Sequence, residues 1–527
     1  MNKINQIILC IIDDVSSDHF FNLINKGRLL NFKKLMKSGI FSTSCITDFP
    51  AITFPTQVSI ITGTYTGDYR NELCHGVPMY DWMERSVSPP ILRSYGTYGS
   101  DERVQIYKIN EDIGNKCQTI FEMVDEGNSA SIAQFINRGT KYFFPERKTK
   151  LIMYYLFIKY YKNIKEMMIR ANTIIVKELL KTFKTPSEFF ENQEPPIISL
   201  LWFVSSDLLM HSFGYDSKIY ELNLRHIDKV MGYLIEELDK LGYLDDTVLA
   251  ITSDHGNYKA NKIGNMGLFL RSKGLTQYHP RKNIKGNMDL AEFGGLGFFY
   301  FKPNNPISKK IWKYPNLESL KVYGPKKVNL FQELFKIDGT ELMYYKDDEN
   351  STYKGKIYLK RKNPETSKIE SGYIEYRGNS KDLKTKYVSE NQNNDIFGYS
   401  DDALAFKLLD NKFHSIQEWL DVTYHANYPI YPDLLIRHFK NPRSADIIIS
   451  TKGKIAYNIK HGRERRSSYY LHDIGLRRST VVPLIIAGPD EIPQREISHC
   501  KITDIVPTLL KLLGKTPHKS VVGKTLI

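Results

Sequence analysis

Long apolar runs are missing from this 527-residue chain. A helix that spans a bilayer needs about 18 or more consecutive apolar residues. The best stretches are Ile197–Val204 and Leu151–Ile158, and Lys159 ends the second. The opening MNKINQIILCIIDD has too short an apolar core for a secretory leader and no small-residue cleavage site. It reads as a buried first strand, and the expected location is the cytoplasm. Cysteine is also scarce. Cys10, Cys45, Cys74, Cys117 and Cys500 are odd in number, widely spaced and without a CxxC pair. They offer no disulfide framework, so reduced thiols are expected. No repeat of fixed period is present. With 41% hydrophobic and 25% charged residues the chain is neither disordered nor fibrous. Its length suits about three domains, or one large α/β domain with insertions.

Lys and Arg number 73 against 59 Asp and Glu, a formal net charge of +14. The excess is spread along the chain, with dense patches at Arg463–Arg466 and Arg477–Arg478. Most of it reads as solvated surface. Attraction to an anionic substrate is the functional reading of the patches. No nucleic-acid-binding motif accompanies the charge, so no nucleic-acid partner is predicted.

Four apolar runs read as buried strands of a parallel sheet. Gln6–Ile12 ends in Asp13-Asp14. Ile197–Val204 ends in Ser205-Ser206-Asp207. Val248–Ile251 ends in Thr252-Ser253-Asp254-His255-Gly256, and Val482–Ala487 in Gly488-Pro489. Three of the four deliver a carboxylate where the strand stops, and ligand sites of open α/β sheets lie at such ends. Between the second and third runs, Tyr220, Leu224, Ile227, Met231, Leu234, Leu238 and Leu241 form one apolar helical face, stopped by Gly242. A second, basic helix is expected from about Lys159 to Phe183, covering the sheet. From about Pro303 to Tyr399 periodicity weakens, and pieces such as Lys356-Ile357-Tyr358-Leu359 suggest hairpins. This stretch reads as an inserted cap or lid.

Asp13, Asp207, His211, Asp254, His255 and a later histidine make three carboxylates and three imidazoles. A mixed oxygen and nitrogen set suits Zn²⁺, with Mn²⁺ or Fe as alternatives. Asp207 and His211, four apart, share a helical face. Two such ions stabilise the attacking and leaving oxygens of a displacement at phosphorus. Thr53 precedes Phe54-Pro55 and an expected helix near Pro55. A hydroxyl there faces free N–H groups and the positive helix end. Taken alone, Thr53 reads as a helix cap.

Together these segments resemble the alkaline phosphatase superfamily, most closely its type I phosphodiesterase/nucleotide pyrophosphatase branch. Ile8-Leu9-Cys10-Ile11-Ile12-Asp13 is similar to the first strand with its metal Asp, although Asp14 stands where the family usually has Gly. Ile52-Thr53-Phe54-Pro55-Thr56 is similar to the nucleophile motif Thr-Phe-Pro-Asn, continued by Ser59–Tyr65 and His75-Gly76. Asp207-x-x-x-His211 and Asp254-His255-Gly256 resemble the spaced ligands. Val482–Ile485 and Asp504–Leu510 resemble the last core strand and closing helix. The resemblance implies an alkaline phosphatase-like three-layer α/β sandwich with a mostly parallel central sheet. Residues 1–302 and 400–527 would form its catalytic core, and 303–399 the inserted cap.

It also implies two divalent ions, Zn²⁺ or Mn²⁺. Asp207, His211 and His472 would hold one; Asp13, Asp254 and His255 would hold the other, which Thr53 also meets. Thr53 would attack phosphorus and pass through a phosphothreonine. The implied activity is a phosphodiesterase or nucleotide pyrophosphatase on a phosphate ester, with a nucleotide as one candidate substrate. A phosphomonoesterase or phosphotransferase is the alternative. Sulfatases use Cys or Ser in C/S-x-P-x-R, a context Thr53 lacks. A metal-poor binding protein is the reading from another class.

Two departures stand out. The family's Asn is Thr56 here, and a threonine hydroxyl donates to a phosphoryl oxygen with shorter reach. The last ligand is His472 or His461. His461-Gly462 carries the family's dipeptide, but His472 lies eleven residues before Pro483, close to the family's spacing. His75 is expected in a loop or the core, Asp48 and Asp81 as solvated loop residues, and His226 on the surface.

Overall fold

In a computed structural model, residues 4–95, 106–124, 126–146, 163–280, 282–292, 294–303, 312, 314–363, 366–458 and 468–527 are described. Leu151–Ile158, His461 and Arg463–Arg466 lie outside them.

The strand Gln6–Ile12 is buried at every position. Its side chains alternate between two cores, Ile7, Leu9 and Ile11 in one, Ile8, Cys10 and Ile12 in the other. A strand covered on both faces has no polar alternation, which is why its sequence is a plain apolar run. It pairs in parallel with Ile198–Phe203 on one side and Thr247–Thr252 on the other. The nine-stranded sheet runs Arg495–Glu496, Gly39–Ile46, Val481–Ala487, Thr247–Thr252, Gln6–Ile12, Ile198–Phe203, Ser129–Ile132, Tyr142–Phe144, with Cys500–Lys501 also beside Gly39–Ile46. Val481–Ala487 is antiparallel to both its neighbours.

One face of the sheet is covered by the helices Lys218–Lys240 and Ile164–Lys184. The first buries Tyr220, Leu224, Ile227, Met231, Leu234 and Leu238 and is capped by Ser217, whose side chain accepts from the Tyr220 N–H. Leu241 falls just past its end and is exposed. On the other face lie Thr53–Thr62 and Ile505–Leu512. Helix, sheet and helix make three layers with a mostly parallel centre.

A second sheet is wholly antiparallel. Its order is Met288–Glu292, Leu296–Phe301, Ile447–Ser450, Leu342–Lys346, Lys354–Lys362, Ile369–Arg377, Lys384–Ser389, His414–Ser415. Lys354–Lys362 and Ile369–Arg377 form the hairpin that Lys356–Leu359 suggested. Four of the eight strands come from residues 303–399, and the others from either side of that stretch. The boundaries expected at 302 and 400 therefore cut through one continuous sheet. Phe298, Tyr300, Leu342, Tyr344 and Ile448 on one of its faces join the core that holds Ile7 and Leu9.

Candidate active site

The parallel strands stop at the same end of the sheet, and their following residues converge there. Asp13 follows Ile12. Asp254 and His255 follow Thr247–Thr252. Asp207 and His211 sit one turn apart on the helix Ser205–Phe213, which follows Ile198–Phe203. The Asp254-His255-Gly256 turn is tight. A Cβ on Gly256 would meet the Arg478 carbonyl oxygen at 2.2 Å, so only glycine fits. Val481–Ala487 runs the other way, so its site-facing residue, His472, precedes it in the chain.

The ligand atoms of Asp207, His211 and His472 lie within 4.8 Å of one another, and so do those of Asp13, Asp254 and His255. These are the two sets the resemblance implied. They adjoin, because the His255 and His472 rings stack at 3.9 Å. His211 Nε2 is 3.1 Å from Asp207 Oδ1, and His255 Nε2 is 3.5 Å from Asp13 Oδ1. Thr53 Oγ1 is 3.2 Å from His255 Nε2. Thr53 opens its helix, and it is the residue of that helix that is not buried. The N-cap is Ile52, without a side-chain cap bond. The Thr53 hydroxyl thus faces the clustered histidine.

The donor set fits divalent cations. His211 Nδ1 is 2.8 Å from the Tyr470 carbonyl oxygen, His472 Nδ1 2.9 Å from that of Ala51, and His255 Nδ1 3.3 Å from that of Gly256. A carbonyl only accepts, so Nδ1 carries the proton and Nε2 is left for a cation. Asp13 Oδ2 accepts from the Trp202 indole N–H at 2.9 Å, while Asp13 Oδ1 and Asp207 Oδ1 are buried without a hydrogen-bond donor. Such orphaned oxygens are costly unless a cation answers them. Asp254 is held by its own shell: Oδ1 accepts from the His255 N–H at 2.9 Å and Oδ2 from the Gln57 amide at 2.7 Å.

Electrostatics point the same way. Burial, then Asp254, pushes the Asp13 carboxyl up. Burial acts likewise on Asp207, but His211 and then His472 pull it well below the usual carboxylate range. Burial disfavours charged His211 and His255, yet Asp207 beside the first and Asp254 beside the second raise both to about 9. Burial, His255 and His211 hold His472 well below an ordinary histidine. The cluster retains protons that a bound dication would displace.

The chain carries a further likeness. Residues 8–320 match the model of the family described as type I phosphodiesterase / nucleotide pyrophosphatase. The chain belongs to this family. Human ectonucleotide pyrophosphatase/phosphodiesterase family member 5 is 39% identical over 69 residues, 13% of this chain and 14% of that relative's length. The solved human structure of that protein aligns with a TM-score of 0.56 at 14% identity, over 97% of this chain and 96% of the other. A murine structure aligns at 0.53 and 12% identity, over 97% and 96%. A second murine structure, an inactive form in complex with AMP, aligns at 0.52 and 12% identity, over 98% and 96%. At these identities the alignments establish the fold, an α/β architecture shared nearly end to end.

Measured against the family's motif, Thr56 is placed differently from expectation. Its side chain is buried, and its hydroxyl donates to the Ile52 carbonyl at 2.7 Å, back along its own helix. The proton expected for a phosphoryl oxygen is already engaged, because the shorter side chain folds onto the preceding turn. Asp48 is buried rather than solvated, accepting from the Ser59 hydroxyl at 2.7 Å and from the Phe49 N–H. Ser59 Oγ also lies 2.9 Å from His75 Nε2, so His75 is a buried structural residue that ties its loop to the Thr53–Thr62 helix. Sequence reading passed over Gln57, Trp202 and Asn257. Trp202 pairs with Ile11 on the neighbouring strand, a relation that sequence spacing does not carry.

Proposed function

We propose that the chain is a two-metal phosphodiesterase or nucleotide pyrophosphatase that works through Thr53. The observation that carries this is the half-open Thr53 hydroxyl, 3.2 Å from His255 Nε2 at the junction of the two ligand sets. Asp207, His211 and His472 would hold one ion, and Asp13, Asp254 and His255 the other. Bound there, divalent ions supply Lewis-acid chemistry: they lower the pKa of a neighbouring hydroxyl and neutralise charge on phosphoryl oxygens.

The protein's own part follows from its geometry. Thr53 Oγ forms a bond to phosphorus while the ester oxygen opposite leaves, taking up a proton from solvent equal to the one Thr53 loses. A water then cleaves the Oγ–P bond, freeing a phosphomonoester and restoring the hydroxyl. The site lies at the open N-terminus of the Thr53–Thr62 helix, whose dipole favours the anionic substrate. Phe54, next to Thr53, stacks on the half-buried Tyr80 at 5.3 Å. A planar base suits such a neighbourhood, and the AMP held by a murine structural neighbour agrees with a nucleotide substrate.

Thr53→Ala should lower turnover of bis(p-nitrophenyl) phosphate by at least about 10³-fold, with metal content unchanged by elemental analysis. Unaltered turnover would remove Thr53 from the reaction. The wild type should prefer this diester to p-nitrophenyl phosphate in kcat/KM; the reverse preference makes it a monoesterase.

A further inference from the structure

The second sheet aims a lysine into a cavity. Leu342, Tyr344 and Lys346 alternate onto one face of the strand Leu342–Lys346, and the first two join the core shared with the nine-stranded sheet. Lys346, one step further along that face, lines a cavity of about 580 Å³. Such a volume suits a small molecule. Tyr314, Tyr376 and Phe439 give it aromatic walls, and none of its described lining residues belongs to the two ligand sets of the active site.

Two amines reach this cavity, and they differ. Lys440 Nζ lies 2.8 Å from Glu72 Oε1 and donates to the Gly378 carbonyl at 3.2 Å, so it is committed. No carboxylate among the described residues pairs with Lys346. Its Nζ donates a long bond to Ser444 Oγ at 3.3 Å and sits 3.5 Å from the centroid of the Tyr314 ring. The Tyr314 hydroxyl donates to the Pro442 carbonyl, which pins that ring. Burial lowers the Lys346 amine to about 7, with Asp446 opposing, Arg85 adding and Asp68 opposing. A desolvated amine of this kind keeps a free lone pair near neutral pH and is a nucleophile.

Charge selects the ligand. The walls carry Asp68, Asp347, Asp348 and Asp446 against Lys346 and Lys440. Each of these carboxylates accepts a hydrogen bond from within the protein. Four carboxylates against two amines disfavour an anion, whereas a neutral electrophile meets no such penalty. We propose that the cavity takes a small neutral aldehyde or ketone, which Lys346 Nζ holds as a Schiff base. The Nζ lone pair bonds to the carbonyl carbon, and the two amine protons leave with the carbonyl oxygen as water, giving C=N. No oxidant or reductant takes part, and the proposal does not depend on the metal-site reading.

The test uses the full chain and benzaldehyde near neutral pH, with cyanoborohydride to trap the imine and peptide mass spectrometry to locate it. Lys346 should be modified at least about 10-fold faster than the exposed Lys412. Its rate should saturate with aldehyde concentration, as a bound complex requires, while that of Lys412 stays linear. Lys346→Arg should remove the fast site and leave the slow ones. The anionic p-carboxybenzaldehyde, measured relative to Lys412, should be the poorer reagent at Lys346. Equal rates at the two lysines, or a linear rate at Lys346, overturn the proposal. A preference of Lys346 for the anionic aldehyde overturns it too, and makes the cavity an anion site.

Discussion

Asp254 is fixed by a chain of neutral amides. Gln134 Nε2 donates to Gln57 Oε1 at 2.7 Å, and Gln57 Nε2 donates to Asp254 Oδ2 at 2.7 Å. All three side chains are buried. Gln57→Ala would leave two buried polar atoms unpaired, and an orphan of this kind costs about 1–3 kcal/mol. The expected result is a loss of that size in urea unfolding; a loss under about 0.5 kcal/mol would mean the chain repairs itself. The proposed ligands stood out in the sequence because cation chemistry admits few residue types. Gln57 did not, since an amide paired across 77 and 197 residues leaves no spacing to notice. Thr56 was misread for a related reason: a threonine hydroxyl has two uses, and its nearest carbonyl took it.

Strands and helices carry a second set of consequences. Leu342–Lys346 places Lys346 at its end, with Nζ 3.5 Å from the centroid of the Tyr314 ring and 3.3 Å from Ser444 Oγ. Burial pushes this amine down to about 7, with Asp446 opposing and Arg85 adding to the effect. Between pH 7 and the ordinary lysine range the unfolded chain binds a proton there that the folded chain does not. Stability at this group therefore rises with pH across that window, and the lysine weakens the fold most at and below pH 7. Lys346→Met should raise the urea midpoint at pH 7 and lose that advantage by pH 10. A gain independent of pH would assign the effect to packing alone. The direction of Val481–Ala487 belongs here too. An apolar run reads the same whichever way it points, yet its antiparallel course is what brings His472, upstream of the strand, into the site.

The two sheets share a core, and buried ion pairs tie residues 72–85, after the Thr53–Thr62 helix, to residues 440–446, just before the second sheet's Ile447–Ser450. Arg443 Nε meets Glu84 at 2.9 Å, Lys440 Nζ meets Glu72 at 2.8 Å, and Arg85 Nη1 meets Asp446 at 2.8 Å. Breaking such a pair on one side costs about 3–5 kcal/mol. Deleting 305–398 would remove four central strands of the second sheet and strip Ile447–Ser450 of its Leu342–Lys346 partner. The expected outcome is little soluble protein and no cooperative melt by circular dichroism. A cooperative melt with both ions still bound would instead mark 303–399 as a separable cap. Among the described residues no helix is long and apolar enough to cross a membrane.

Local chemistry wrote the strands, the main helices and the ligand types into the chain, because burial demands apolar runs and cations demand particular donors. The partners of those residues and the joining of 303–399 to its flanks arise from contacts between segments far apart in the chain. Distance along a sequence says nothing of distance in space, so these features exist only once the sheet has brought its ends together.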